Sequence, residues 1–502
     1  MRTSTKHTGR EFSVQFPQLT GGLNLSLPPH EIGMNQIADG WNVWVTPTGD
    51  FSSRPGALKI NETEFPDPIA GGHYSSPLDK TLVATYDKEL YVLDEGTGTK
   101  TKIGNLTGSD KPDFADFMGN CFIASGGMLQ VYDGTTLSSV TSLTSNPAPS
   151  HAIFLEAFEN RLWVAETGSK LNFCGTRDYQ DWGGDIEDSG GFIYIEDGDG
   201  AQITGLGILD GIPVVFKGNT NRAPFSISKV VGTSVDDYSA KIITKGISCT
   251  SGHTVQNYLN DLLFVGREGV FTHQQVRDYE NPRAFPVSKD VSSMFKSHPS
   301  QDAVYDPVTG YYFVVTSLPV MCLNTSTGGW FQWVFPHFTP KCVFLGKNDD
   351  VLFGTQEGDI QRIRASAATY KDNDEEFQAT FSTSVYNGGD PGVEKKWKWL
   401  HMAFKPFSEG SVYVEWRTDF GYKYIGSTGE SVPGEIFTDW DGSFLWDDST
   451  VGWDQDVFVS RRGNLQARGR DIQFRVISTG GFRLVSMGVT GAVLRSSIDP
   501  WR

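Results

Sequence analysis

One short unit is written into this chain repeatedly, and it limits the possible folds more than any other feature. Leu82 to Asp94 (LVATYDKELYVLD) places two apolar-leaning runs on either side of a polar break, Tyr86-Asp87-Lys88-Glu89. That is the pattern of two strands joined by a tight turn. The same pattern begins again near Phe122, Leu162, Val214, Leu263, Tyr312 and Leu352. The steps between these anchors are 40, 40, 52, 49, 49 and 40 residues. Ahead of several hairpins lies another strand-like run, at Phe114 to Met118, His151 to Phe158 and Ile203 to Leu209. Units of about 40–50 residues with up to four strands each predict a β-propeller. A narrow apolar sheet cannot bury itself, but seven of them packed face to face around an axis bury both faces. The expected fold class is all-β, with a propeller of about seven blades over residues 61–366.

Composition agrees with this. The chain has 502 residues, 13% of them aromatic, with 56 Gly, and no long stripe of helical period. Residues 1–60 read as an extended arm. Within it, Gly40 to Val45 alternates like a strand able to pair with the last repeat and close the ring. Tyr370 to Glu376 reads as a charged, solvated linker. Residues 367–502 form a second unit with strands expected at Phe377 to Val385, Trp397 to Phe404, Ser411 to Trp416, Asp471 to Ile477 and Phe482 to Val489. These predict an antiparallel β-sandwich.

The net charge of −18 disfavours generic nucleic-acid binding and anionic membranes. No run is long and apolar enough for a membrane helix, and Met1 to Gln18 lacks the apolar core of a signal peptide. Cys121, Cys174, Cys249, Cys322 and Cys342 are scattered, as reduced core thiols would be. The sequons at Asn61, Asn105 and Asn324 are read as chance.

Candidate sites are few. Glu196-Asp197-Gly198-Asp199-Gly200 offers carboxylates for calcium, but lacks the spacing of a calcium loop and reads better as an Asp-Gly turn. The nine histidines form no zinc spacing. No nucleophile elbow or phosphate loop occurs. The expectation is a non-enzyme without cofactor or metal. Trp440, Trp446 and Trp453 repeat a Trp-Asp step, and suit either an interface or a sugar platform as well as a packed loop. Arg461, Arg462, Arg468 and Arg470 form a basic run that fits contact with an acidic partner chain or DNA, and more commonly a solvated strand end.

The order of several motifs resembles a known family. Gly21-Gly22-Leu23-Asn24, Asn42, Gly49 and Arg54-Pro55-Gly56 open the chain. Gly200 to Leu206, Val214 to Lys217, Lys245-Gly246-Ile247, Gly269-Val270-Phe271 and Arg470 to Arg475 follow. The set is similar to the tail hub or nozzle proteins of short-tailed double-stranded DNA bacteriophages. The resemblance implies a virion structural protein, assembled in the bacterial cytoplasm as a homohexameric ring in the tail. It also implies a head-tail adaptor ring above, tail fibres or needle below, and viral DNA passing through the lumen without specific binding. It implies no catalytic residues. The alternative is a β-propeller that binds a surface glycan.

Overall fold

The computed structural model describes residues 11–183, 188–218, 225–232, 234–274, 286–363, 370–406, 410–418, 435–440 and 459–494. The chain divides into two compact units. One comprises residues 58–322 and 335–364, the other residues 1–57, 323–334 and 365–502.

The first unit is a seven-bladed β-propeller. Its inner strands are Ile69–Ser75, Asp113–Phe117, Ala152–Phe158, Gln202–Leu209, Gln256–Tyr258, Ser300–Asp306 and Pro340–Leu345. Each packs against the next, and the last packs against the first, so the ring is closed. The seven hairpin anchors all fall on the second strand of a blade, from Lys80–Thr85 in blade 1 to Val351–Thr355 in blade 7. Blades 1 to 4 are antiparallel sheets of four strands.

The second strands are buried almost throughout; Arg161–Glu166 and Tyr311–Thr316 have every residue buried. The cause is alternation. Successive side chains leave opposite faces of a sheet, and here both faces meet a neighbouring blade. In blade 1, Leu82 and Ala84 join a core with Cys121, Ile123 and Tyr132 of blade 2. Val83, between them, turns the other way, to Cys342, Phe344 and Leu352 of blade 7. Blade 2 repeats the device with Phe122 and Ala124, which meet Leu162 and Val164 of blade 3. At one contact between inner strands only glycine fits. A Cβ on Gly72 of blade 1 would lie 2.4 Å from the Phe344 ring of blade 7.

Blade 7 takes its fourth strand from far upstream. Ala57–Lys59 lies beside Ile360–Ile363. Ile60 N–H donates to the Ile360 carbonyl at 3.0 Å, and the Asn61 side-chain oxygen accepts from Ile360 N–H at 2.8 Å. Asn61 is buried, so its sequon is spent on this closure. The closing strand is therefore not the Gly40–Val45 run expected from alternation.

That run belongs to the second unit, a sandwich of two sheets. One orders Val459–Gly469, Lys395–Pro406, Phe482–Val493, Phe51–Ser53 and Val43–Val45, with Glu11–Phe16 also on Phe482–Val493. The other orders Trp330–Trp333, Gly22–Leu23, Gln36–Trp41, Gln378–Thr383, Ile472–Thr479, Gly410–Thr418 and Glu435–Trp440. Aromatic rings fill the space between them. Phe51 lies 5.0 Å from Phe381, and Phe16 6.0 Å from Phe474. The segment 1–60, expected as an arm, thus supplies strands between Glu11 and Ser53 to both sheets.

The motifs behind the resemblance have structural work in this unit. Gly22 has φ +69, and a Cβ there would sit 2.5 Å from Trp330 N, so only glycine allows the approach. Arg54 is fully buried, and its five N–H donors each find an acceptor. Nε donates to Asn42 Oδ1 at 3.0 Å, and Nη1 to the Pro55 carbonyl and Asp372 Oδ1, both at 2.9 Å. Nη2 donates to Asp372 Oδ2 at 2.6 Å and to the Val334 carbonyl at 3.2 Å. The guanidinium also lies 3.8 Å from the centre of the Phe377 ring. Asp372, read from the sequence as part of a solvated linker, is 0% exposed. It sits in a tight hairpin of Lys371–Asp372 and Glu375–Glu376, and the buried arginine holds it inside.

Candidate functional site

The inner strands of the propeller carry an unusual set of ionisable groups. Asp113 and Asp302 stand on blades 2 and 6. Each uses its carboxylate on the backbone of the following blade: Leu155 N–H donates to Asp113 Oδ2 at 2.9 Å, and Val343 N–H to Asp302 Oδ2 at 2.9 Å. Both donors lie just past a β-bulge, at Ala152/Phe154 and Pro340/Cys342. A bulge leaves backbone groups unpaired by the ladder, and the aspartates take them up. Lys111 Nζ reaches Asp302 Oδ2 at 2.7 Å.

Electrostatics mark the same place. Burial pushes the Glu156 carboxyl up to about 8, and the nearby charge of Asp113 adds to the rise. Asp113 is itself pushed up to about 6 by burial, against the pull of the Leu155 and Phe114 N–H groups. Both keep some surface open, yet the protein packed around them governs the shift. Burial and then Lys111 hold the His253 imidazole well below its ordinary range. Burial raises Asp302, and Lys111 opposes it. Shifted groups gather at functional sites. Here Asp113 and Asp302 are committed to backbone bonds, so they position the blades. Burial favours the neutral form of Glu156, which can donate a hydrogen bond.

The Glu196–Gly200 loop already holds a cation. Lys217 is fully buried, and its ammonium donates to the carbonyls of Ile195 at 2.6 Å and Glu196 at 2.5 Å, and to Asp199 Oδ1 at 2.7 Å. The seat that calcium would need is filled by the chain's own lysine. Lys217 closes the Val214 to Lys217 motif quoted above.

The basic run lies on the sandwich. Arg461, Arg462 and Arg468 belong to the strand Val459–Gly469, which pairs with Lys395–Pro406. Arg468 and Arg470 are exposed. Trp440 ends the strand Glu435–Trp440, opposite Gly410. Trp446 and Trp453 lie outside the described residues.

Sequence reasoning passed over one grouping. His73, Asp116 and Cys121 place a ring nitrogen, a carboxylate oxygen and a thiol sulfur within 4.8 Å of one another. His73 and Asp116 are 43 residues apart, too far for a local metal motif but one blade step of the repeat. Comparing equivalent positions in successive repeats is the signal that finds them.

No family model and no curated protein matches the chain. Among solved structures, BamB from Moraxella catarrhalis is similar at 11% identity and a TM-score of 0.38, over 62% of this chain and 90% of that one. A computationally designed protein, Ika8, is similar at 12% identity and a TM-score of 0.38, over 68% of this chain and 99% of that one. The seven-bladed ring rests on the strand pairings described above, not on these likenesses.

Proposed function

We propose that this chain is a non-enzymatic virion structural protein, the tail hub or nozzle ring of a short-tailed double-stranded DNA phage. One observation carries the reading: the ordered motifs of the resemblance lie at the joints of the fold. Gly22 admits Trp330, while Asn42, Arg54 and Gly56 close on Asp372 and its hairpin. Residues so placed set a fold, which is what a family of structural proteins has in common. In this reading six copies form a ring beneath the adaptor, and fibres or needle dock to it. The chain's net charge of −18 disfavours the phosphate contacts that would hold DNA in the lumen. Light scattering and electron microscopy of the full-length protein, alone and with the adaptor complex, are the test. A six-fold ring in either sample is expected. A monomer in both sinks the proposal.

A glycan-binding role is the second reading, favoured by the outer strand of blade 3. Phe192 and Tyr194 are 43% and 54% exposed there. Their rings stand 5.5 Å apart, and Lys170 Nζ lies 4.7 Å from the Phe192 centroid. Exposed aromatic faces stack on sugars. Glycan-array binding lost in Phe192→Ala and Tyr194→Ala would favour this role over the first.

A further inference from the structure

We propose that His73, Asp116 and Cys121 bind one zinc ion, which staples blade 1 to blade 2. The hairpin of blade 2 sets up two of the ligands. Asp113–Phe117 and Asn120–Ala124 are joined at Met118 and Gly119, whose φ values are +53 and +80. That two-residue turn fixes the register and puts Asp116 directly opposite Cys121. Cross-strand partners share one face of a sheet, and Cys121 faces the core shared with blade 1. His73 arrives from the inner strand of blade 1, which packs against that of blade 2.

The distances are near those a metal needs. His73 Nε2 lies 3.2 Å from Asp116 Oδ2. A tetrahedral zinc with bonds of about 2.0–2.3 Å separates its ligand atoms by roughly 3.3–3.8 Å. All three ligand atoms already lie within 4.8 Å of one another, so closure asks for side-chain adjustment, not backbone movement. The supporting groups are in place. Ser75 Oγ donates to the other Asp116 oxygen at 2.5 Å, and His73 stacks on Phe114 with ring planes 8° apart. Such partners orient ligands. Cys121 Sγ lies 3.9 Å from the Phe122 carbonyl, a weak contact, and beside the Asp116 carboxylate. The His73 and Asp116 side chains are 29% and 23% exposed, which gives an ion a way in and leaves a fourth position to water.

The donor set selects the ion. Nitrogen, oxygen and sulfur together suit zinc better than calcium or magnesium, which prefer oxygen alone. On binding, the Cys121 S–H bond breaks, its proton goes to solvent, and sulfur coordinates the metal. Zinc(II), one thiolate, one carboxylate and a neutral imidazole sum to zero charge, which the half-buried location favours.

The test uses full-length protein, stripped with a chelator and titrated with cobalt(II). Cobalt bound to a thiolate gives a near-ultraviolet charge-transfer band. The expected result is a band saturating at one equivalent and displaced by zinc, with a higher melting temperature when loaded. Cys121→Ser removes the band, His73→Gln weakens binding at least tenfold, and Ser75→Ala weakens it by about tenfold. If Cys121→Ser does not fold, His73→Gln and Asp116→Asn, both on part-exposed side chains, carry the test. Absence of the band in the native protein overturns the proposal. So does a band that persists in Cys121→Ser, or cobalt affinity unchanged in His73→Gln.

Discussion

Arg54→Met removes the buried cation that pairs with Asp372 in the sandwich and takes two hydrogen-bond donors from that carboxyl. Both side chains are 0% exposed. Breaking a buried pair from one side costs about 3–5 kcal/mol, because the remaining charge keeps its desolvation penalty. The Asn42 oxygen and the Pro55 and Val334 carbonyls lose donors as well, which places the cost toward the upper end. The unit holding the pair has roughly 200 residues, for which 1 kcal/mol moves the melting temperature by about 2–4 °C, so a fall of about 6–20 °C is expected. Urea unfolding followed by tryptophan emission reads it, since Trp44, Trp333 and Trp397 are buried in the same unit. Arg54→Met with Asp372→Leu removes both charges and should recover more than half of the loss. A loss below about 1 kcal/mol for Arg54→Met, or a double variant as unstable as the sum of its parts, refutes the reasoning.

Three further outcomes are expected. Glu156 titrates near 8 in the fold against 4.5 unperturbed, and Asp113 near 6 against 3.8. The folded chain therefore holds extra protons across pH 4–8, and stability falls as pH rises through that window. Glu156→Gln should melt like the native protein near pH 4.5 and higher than it at pH 8.5; an equal difference at both pH values counts against the assignment. Lys217→Met takes the ammonium from part-exposed Asp199 and from the Ile195 and Glu196 carbonyls and should cost about 1–3 kcal/mol in urea unfolding, while millimolar calcium leaves the native melting temperature unchanged. All five cysteines are buried and none forms a disulfide, so a thiol reagent should label none in the metal-stripped native protein and five after denaturation; rapid native labelling contradicts the packing of the blades.

The propeller was legible because its signal is local. A turn between two apolar runs is written within about a dozen residues, and the repeat multiplies it. Each anchor from Leu82 to Leu352 lies on a second strand, the one whose two faces are both buried and whose apolar run is therefore longest. What the sequence concealed depends on distant partners. Ala57–Lys59 is three residues long and has no strand signature apart from Ile360–Ile363, which it joins. Val459–Gly469 reads VSRRGNLQARG, and its polar run conveys a basic patch before it conveys a strand. Asp372 sits among charged neighbours that are exposed, and its own burial follows only from Arg54. The candidate site was hidden for the same reason. Asp113, Glu156 and Asp302 acquire their character from blades that fold against them, and His73 reaches Asp116 and Cys121 only across a blade boundary.

Blade 7 has a consequence for how the chain is made. Its outermost strand, Ala57–Lys59, leaves the ribosome about 300 residues before Ile360–Ile363 does. At about 5–20 residues per second, that interval is roughly 15–60 s. The sandwich waits longer, because Glu11–Phe16 pairs with Phe482–Val493. Blades 1 to 4 can form during synthesis from sequence-adjacent strands, while the earliest segment stays unmatched until the latest arrives. A message cut short anywhere before residue 340 yields an open ring with two unpaired blade faces, a product suited to aggregation and proteolysis and not to assembly. The long-range closure therefore acts as a completeness check on each copy of the chain.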